Sequence, residues 1–556
     1  MNKSLSYYKI SLFVFIIIYP WILIWNGFDL GDMGIWASAY ALFFENSTHI
    51  YQGIYTCYLT ILIGATWNEI FENIGIINLK IAYILITYLS LFLIYTIIKT
   101  IYPNKSVLIP LAVSLIYVLT GFSKWIDYDN LTALVYLVAI TMFVKYTKNN
   151  SSTYIFIFGA LLGINFFIRL SNITGLLLVL PLLLYIWGNN KTIYSLLKNL
   201  GIISLGVIFG IITVFLLMNI MGHTELYSNK ISLFLHASSS PEHAYNTLSL
   251  LYMYFIQYIR LFALSLYYAA PFLVLALWYK YIYKVKEKNF YSINFIGFSI
   301  AILLLGGHLA VSHYINGTSF DLQKLQPIRI EGILYITALI FLYLERNSII
   351  NRSIILFSIL LLFILPLGSV AGLYKHIYGA GLIVALLMVY ILNHLEGLNT
   401  AKKYLQWTIY SFLSMLVSAS LIYTITLSFE LEPLLRFNMN SKLKNKRIKN
   451  LYTDYKRAEA LDSLASFAQK NIPKNSYLLM DGMTKQDGIY YLTNTIPYAQ
   501  PYTSNILPYV KTSKQPYILI YKLIPHNNSI DKKIADENYN LIMENTLYKL
   551  FKSSSF

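Results

Sequence analysis

Two carboxylates three residues apart stand directly after the first long apolar run, within the glycine-rich segment 27–34 (GFDLGDMG). A carboxylate near apolar surroundings can have its pKa raised enough to act as a general base, or it can stay ionised and hold a divalent cation such as Mg²⁺ or Mn²⁺. Asp29 and Asp32 are therefore the predicted catalytic residues. The alternative is that one of them caps a short helix beginning near Met33 while the glycines form the turn.

A second acidic and aromatic cluster, residues 124–130 (KWIDYDN), precedes another apolar run. Sugars commonly bind where aromatic faces lie beside carboxylates, because ring faces pack on C–H surfaces and hydroxyls find acceptors. Asp127 and Asp129 are predicted to bind substrate, with a purely structural role as the alternative. Trp125 and Tyr128 are better explained as members of an interfacial aromatic belt.

Cationic side chains could bind a phosphate group in the same region. Arg169 lies between two apolar runs that are so close together that it must sit at or just inside a membrane boundary, where an unpaired charge is costly. It either binds a phosphate bidentately or extends from a tight hairpin toward water. The neighbouring Asn172 is a further predicted substrate ligand. Four residues of other outward connections are predicted to bind substrate as well: Lys324, Arg329, Lys375 and His376.

The composition explains why these residues must be positioned by membrane helices. A hydrophobic fraction of 57% and a charged fraction of 12% do not suit a soluble protein of 556 residues. Apolar runs of roughly 15–25 residues recur, and such runs cross the hydrocarbon core as helices. About thirteen spans are predicted, near residues 10–26, 78–98, 107–121, 131–145, 154–168, 173–188, 200–221, 260–279, 293–312, 333–344, 354–367, 379–393 and 406–428.

The net charge of +17 is distributed as short Lys and Arg clusters in alternate connections between the apolar runs. The positive-inside rule then predicts a cytoplasmic N-terminus, an outward first loop at 27–77 and an outward C-terminus. This distribution is a topology signal and excludes a nucleic-acid footprint. We expect a multi-pass protein of the bacterial inner membrane, with a transmembrane domain over 1–428 and an exoplasmic domain over 429–556.

The predicted exoplasmic domain has a mixed and charged pattern. An amphipathic helix is expected over 458–469, and strands are expected at 476–481, 488–493 and 516–522, which together predict a small α/β domain. A single cysteine, Cys57, excludes an internal disulfide. The chain also lacks nucleotide-binding, zinc-protease and hydrolase motifs.

The order of motifs resembles the GT-C superfamily of polyprenyl-phosphate-sugar-dependent glycosyltransferases, in particular bacterial relatives of the dolichyl-phosphate-mannose protein mannosyltransferases and the aminoarabinose transferases. The FDLGD segment at 28–32 is similar to the acidic motif of that family's first outward loop. The segments 128–130 (YDN) and 167–172 (FIRLSN), and in the tail 457–462 (RAEALD), 474–479 (KNSYLL) and 489–493 (IYYLT), resemble the middle and periplasmic parts of its members.

This resemblance implies transfer of one sugar from a polyprenyl-phosphate-linked donor to a glycan, lipid or protein acceptor at the outer leaflet. Either Asp29 or Asp32 would be the base. The acidic pair of the family is usually adjacent, whereas two residues separate the pair here, so the resemblance implies no choice between them. Cations such as Arg169, Lys324 or Lys375 would offset the charge of the departing lipid phosphate. The alternatives are a polysaccharide polymerase or ligase and a non-enzymatic flippase or exporter of lipid-linked glycans.

Overall fold

The structure is a computed structural model of the chain. It describes residues 3–22, 24–120, 124–190, 192–239, 247–278, 348–368, 377–396, 438–480, 486–498, 514–523 and 528–554, together with short pieces near 334–343, 373, 417–428 and 434–435. The elements below are numbered along this part of the chain.

Helices dominate the region before residue 400. They are α1 (Lys3–Ile22), α2 (Asp32–Leu42), α3 (Gln52–Tyr55), α4 (Tyr58–Phe71), α5 (Ile77–Ile101), α6 (Leu108–Val118), α7 (Tyr128–Asn149), α8 (Ser152–Ile168), α9 (Val179–Asn190), α10 (Ile193–Ile220), α11 (Thr224–Ser239), α12 (Thr247–Trp278), α13 (Ile349–Ile364) and α14 (Ile377–Glu396). Short 3₁₀ helices lie at Ser47–His49, Glu72–Ile74 and Leu170–Leu178.

Within the described residues, four helical segments are long and apolar enough to cross a membrane: Ile77–Ile101, Tyr128–Asn149, Leu170–Asn189 and Ile193–Ile220. The chain is therefore an integral membrane protein with a mostly helical fold. The segment predicted at 293–312 lies outside the described residues, as do most of 406–428 and part of 333–344. The count of thirteen spans thus stays a prediction.

Several predicted spans begin later than the corresponding helices of the structure. The helix predicted to begin at 260 begins at Thr247, so part of the expected outer connection 222–259 is helical, as is Thr224–Ser239 within it. The span predicted at 173–188 starts as a 3₁₀ helix at Leu170 before it continues as α9. Hydropathy detects only the apolar part of a helix. Backbone hydrogen bonding can continue the helix into neighbouring polar sequence, so a helix can begin before its apolar part.

Four glycines let α8 and α10 approach closely. A Cβ added at Gly159 or Gly163 would lie 2.3 Å from a carbonyl oxygen of α10, and one added at Gly206 or Gly210 would lie 2.2 Å from a carbonyl oxygen of α8. Each helix therefore presents a small-xxx-small pair to the other, which is how membrane helices gain close van der Waals packing without a hydrophobic driving force.

From Leu427 onward, the described residues form sheets and three helices. Short strand pairs are β1 (Leu427–Ser428) with β2 (Leu434–Leu435), and β3 (Ser441–Lys442) with β4 (Tyr452–Thr453). A five-stranded sheet has the order β6-β5-β7-β9-β8, from β5 (Tyr477–Met480), β6 (Ile496–Pro497), β7 (Tyr517–Tyr521), β8 (Tyr539–Glu544) and β9 (Tyr548–Ser553). Its β5–β6 and β5–β7 pairs are parallel and the others are antiparallel. The helices are α15 (Tyr455–Asn471), α16 (Gly488–Thr493) and α17 (Asn528–Asp536).

The prediction of a strand at 488–493 is wrong, because these residues form helix α16. All six residues of α16 are buried. Burial on every side removes the polar positions that would give the sequence a helical period, and the aromatic and β-branched composition then imitates a strand. Asn494, with φ of 59°, ends the helix in the left-handed conformation that asparagine tolerates. The predictions at 458–469, 476–481 and 516–522 match a helix and two strands.

Candidate functional site

The acidic turn after α1 is fixed by bonds to the carboxylate of Asp29. One oxygen, Oδ1, accepts from the backbone N–H of Gly31 at 2.9 Å, and Oδ2 accepts from Met33 at 3.2 Å. Asp29 is half-buried, whereas Asp32 is exposed at the first position of α2. The N-cap residue of α2 is Gly31, not Asp29, but Asp29 accepts from the N–H of the second helical residue, so its carboxylate is held in one orientation before α2.

A buried lysine supports the turn from the side of the helix bundle. Lys80 on α5 is 5% exposed, and its Nζ donates to the carbonyl oxygens of Asn26 at 2.9 Å and Gly27 at 2.6 Å. Gly27 has φ of 81°, a conformation that glycine adopts without strain. Sequence reasoning missed Lys80, although a lysine inside the apolar run 77–101 is costly enough to have signalled a role.

Segments more than 400 positions later hold the same turn from its other side. The N–H of Gly27 donates to the carbonyl of Tyr452 at 3.0 Å, and the N–H of Tyr452 donates to Trp25 at 2.8 Å. Beyond Asp29, the N–H of Gly488 donates to the carbonyl of Leu30 at 2.8 Å. Asp29 is thus bracketed by backbone hydrogen bonds from the C-terminal region.

The docking of α16 on α2 leaves no room for side chains at the contact. A Cβ added at Gly34 would lie 2.2 Å from the backbone nitrogen of Gly488. One turn further along α2, the hydroxyl of Ser38 donates to the carbonyl of Asp487 at 2.7 Å. The two helices therefore touch through their backbones immediately after the acidic turn.

Asp127 has a structural role at the start of α7. Its Oδ1 accepts from the backbone N–H of Asp129 at 2.9 Å and from the side-chain amide of Asn130 at 2.7 Å. In return, the Oδ1 of Asn130 accepts from the backbone N–H of Asp127 at 3.2 Å. This reciprocal capping box fixes the entry into the helix. A substrate-binding role for Asp127 stays a prediction.

Arg169 lies at the centre of a buried polar network. Its guanidinium is 3.8 Å from the carboxylate of Asp129, donates to the carbonyl of Leu365 at 3.0 Å and lies 4.7 Å from the ring centre of Tyr128. The side chain is only 6% exposed, so the interpretation that it extends outward to water is wrong. Close helix packing and these three partners compensate the buried charge.

Tyr128 links this network to the first loop, because its ring meets that of Trp36 on α2 at 5.6 Å in an edge-to-face contact. Tyr128 and Trp125 therefore do not form a belt facing lipid: Trp125 is buried and Tyr128 packs against α2 and Arg169. The structure brings the predicted residues Asp129 and Arg169 together, and the ring of Tyr128 connects Arg169 to α2, the helix that carries Asp32.

Asn172 completes the polar core next to the network. Its amide donates to the hydroxyl of Thr132 at 2.7 Å and to the side-chain oxygen of Asn165 at 3.0 Å. These bonds join the 3₁₀ helix after Arg169 to α7 and α8. They explain Asn172 structurally, and its predicted role in substrate binding stays a prediction.

A second buried lysine holds the far part of the first loop. Lys230 on α11 donates to the carbonyls of Thr48 and Ile50, both at 2.7 Å. Burial lowers the pKa of Lys230 to about 8, so the amine still carries its proton for most of the time at neutral pH. Burial also lowers the pKa of His49 between those two carbonyls, with a smaller effect from the nearby charge of Lys230. Lys230 therefore anchors this end of the loop to α11.

The remaining predicted ligands, Lys324, Arg329, Lys375 and His376, lie outside the described residues. Within the described part of the chain, no group of three His, Cys, Asp or Glu side chains could hold a metal ion.

No protein-family model and no curated protein matches the chain. Its structure is similar to that of ArnT from Cupriavidus metallidurans bound to undecaprenyl phosphate, with 10% identity, a TM-score of 0.47 and coverage of 97% of this chain and 98% of that chain. The apo state of the same ArnT gives 12% identity and a TM-score of 0.44, with 99% and 98% covered.

The Archaeoglobus fulgidus oligosaccharyltransferase tethered to an acceptor peptide is also similar, with 10% identity and a TM-score of 0.47. That match covers 89% of this chain but 64% of the oligosaccharyltransferase, which is less than two thirds of its length.

Proposed function

We propose that the chain is a membrane glycosyltransferase that moves a sugar from a polyprenyl-phosphate-linked donor to an acceptor hydroxyl at the outer face of the membrane. The observation that carries this proposal is the fixed carboxylate of Asp29, held on a turn between the helix bundle and the C-terminal region. A carboxylate in one orientation at the mouth of an apolar bundle suits a reaction between a lipid-anchored donor and a water-borne group.

In the proposed reaction, Asp29 accepts the proton of the acceptor hydroxyl as that oxygen attacks the anomeric carbon of the donor. The bond between this carbon and the phosphate oxygen breaks, and its electron pair leaves with the polyprenyl phosphate. Of the two predicted bases, we assign this role to Asp29, because its orientation is fixed by Gly31 and Met33. The exposed Asp32 would contribute negative charge beside it.

The negative charge on the departing phosphate requires cations. Arg169 supplies a buried positive charge, although its contacts with Asp129 and Leu365 fix it within the bundle. We therefore propose that Lys324, Arg329, Lys375 and His376 supply the direct phosphate contacts.

The wider architecture is part of the same proposal. We place about thirteen membrane spans in residues 1–428, with the N-terminus in the cytoplasm of a bacterium. Residues 429–556 would form an exoplasmic α/β domain on the outer face of its inner membrane. The first loop 27–77 and this domain then lie on the same side, which is consistent with the hydrogen bonds between Gly27 and Tyr452.

The test is a transfer assay with the purified full-length protein and a panel of synthetic polyprenyl-phosphate sugars. Asp29→Asn should lower the transfer rate by about 100-fold or more, because loss of a general base typically costs that much. Asp32→Asn should have a smaller effect. Asp531→Asn, an exposed carboxylate on α17, is the matched control and should leave the rate unchanged. Full activity in both Asp29→Asn and Asp32→Asn would contradict the proposal.

A further inference from the structure

A polar cleft of about 330 Å³ lies between the first loop and the C-terminal region, away from the acidic turn. We call it the distal cleft. Its first-loop wall includes Phe44 and Glu45 beyond the end of α2 and Glu69 on α4, and its opposite wall includes Lys474 and Asn475.

Three charged side chains of the distal cleft have no partner among the residues that the structure describes. Glu45, Glu69 and Lys474 are exposed, and none of them makes a hydrogen bond or ion pair within the described part of the chain. Charges of opposite sign that face the same space without pairing can bind a ligand without first breaking internal bonds.

The walls around these charges are fixed by another cation. Arg447 donates to the carbonyl of Tyr491 and, at 2.9 Å, to the side-chain oxygen of Asn494, and it lies 4.0 Å from Glu72 across the cleft. The carbonyl of Arg447 also accepts from the N–H of Ile76 at 2.7 Å. The two walls are therefore bound to each other, and the cleft is pre-formed.

The chemistry of the lining favours a carbohydrate. Phe44, with 45% of its surface exposed, offers a ring for sugar C–H groups. Glutamate oxygens accept from hydroxyls, while lysine and asparagine donate to ring and hydroxyl oxygens. A phosphate would be repelled by Glu45 and Glu69, and an acyl chain would find too little apolar surface.

The position of the cleft sets the length of its ligand. From Asp32 to Ala41, which also lines the cleft, α2 rises by roughly 14 Å. We propose that the distal cleft binds a sugar of a glycan acceptor, several units away from the hydroxyl that Asp29 activates. This rests on the proposed function and makes the acceptor an oligosaccharide or polysaccharide.

The experiment measures glycan binding separately from transfer. The immobilised full-length protein is incubated with a fluorescently labelled pool of oligosaccharides, released by mild acid from the envelope of the cells that naturally make it. Wild type and Asp29→Asn should bind this pool equally. The double variant Glu69→Gln/Lys474→Gln should bind about tenfold more weakly, as expected for the loss of charged hydrogen bonds.

The matched control is Glu459→Gln/Lys470→Gln, which makes the same two charge changes at exposed positions of α15 outside the cleft. It should bind as wild type does. Equal binding by the cleft variant and wild type, or no binding by wild type, would contradict the proposal that the distal cleft binds a sugar of the acceptor. Glycan binding by a wild-type protein that transfers no sugar from any donor would support the cleft and refute the proposed transfer reaction.

Discussion

At the scale of single residues, Asp29 differs from the other acidic residues of the site in how it is held. Both of its carboxylate oxygens accept backbone N–H groups, and the flanking Gly27 and Leu30 are themselves bonded to the C-terminal region. A carboxylate held in one orientation can accept a proton only from a hydroxyl that is placed against it, so the position of the turn is decisive.

Lys80 should be a positioning residue for this turn. Lys80→Met removes both bonds to the carbonyls of Asn26 and Gly27. We expect kcat to fall by roughly 10- to 100-fold, because a displacement of about 1 Å in a reacting group can cost that much. The KM for the donor should stay within about twofold.

Lys80→Arg separates positioning from general stability. An arginine retains a charge and several donors, so it should restore part of kcat. Hydrogen–deuterium exchange gives a readout that needs no activity: in Lys80→Met the amides of residues 26–34 should exchange faster, while those of α8 and α10 stay protected. Unchanged kcat together with unchanged exchange would refute the role of Lys80.

At the scale of elements, glycines allow the helices α8 and α10 to pack closely against each other. The glycines at 159, 163, 206 and 210 recur at intervals of four, so each pair lies on one face of its helix. The two faces meet with Cβ positions less than 2.5 Å from the facing carbonyls. This contact positions α8, whose end carries Arg169.

Gly206→Ile should weaken the pair. The new side chain would begin 2.2 Å from the carbonyl of Phe156 and would force the helices apart. Overpacking of this kind costs about 1–3 kcal/mol, and the aggregation temperature of the detergent-solubilised protein should drop.

Gly201→Ile, on the same helix, is the matched control, because a Cβ there meets nothing within 4 Å. It should leave the aggregation temperature unchanged. Equal losses in Gly206→Ile and Gly201→Ile would show that backbone propensity, and not the contact with α8, is responsible.

At the scale of the whole molecule, the C-terminal region is joined to the first loop on both sides of the acidic turn. The contacts at Tyr452 and Gly488 bracket Asp29, and the contact at Arg447 holds the end of the loop at Ile76. Because the C-terminal region is joined at these points, a shift of this region would move the carboxylate of Asp29. Its docking should therefore affect catalysis without any direct contact with substrate.

Gly34→Ala tests this docking. In an isolated helix the change would be favourable by about 1 kcal/mol, yet the new Cβ would lie 2.2 Å from the nitrogen of Gly488. We expect transfer to fall by about tenfold or more, and proteolysis of the C-terminal region to become faster. Gly488→Ala should be milder, since its Cβ would lie 3.1 Å from Leu30 and Gly34. Wild-type activity and protease resistance in Gly34→Ala would contradict the coupling.

The sequence by itself determined the features that depend on local pattern. Apolar length predicted spans at 78–98, 131–145 and 200–221, because a lipid-facing backbone must satisfy its own hydrogen bonds. The structure has helices there at Ile77–Ile101, Tyr128–Asn149 and Ile193–Ile220. The spacing of glycines and carboxylates predicted the turn at Asp29 and the short helix after it, since both depend on neighbours within four residues.

Only the tertiary structure decided which distant residues hold that turn. Ser38 and Asp487 are separated by 449 positions, and no local period connects them. The helix at 488–493 was predicted as a strand because it is buried on all sides and has lost its amphipathic pattern. The role of Lys80 depends on two carbonyls more than 50 positions earlier. Backbone carbonyls are present in every residue, so sequence does not reveal which of them a buried cation will bind.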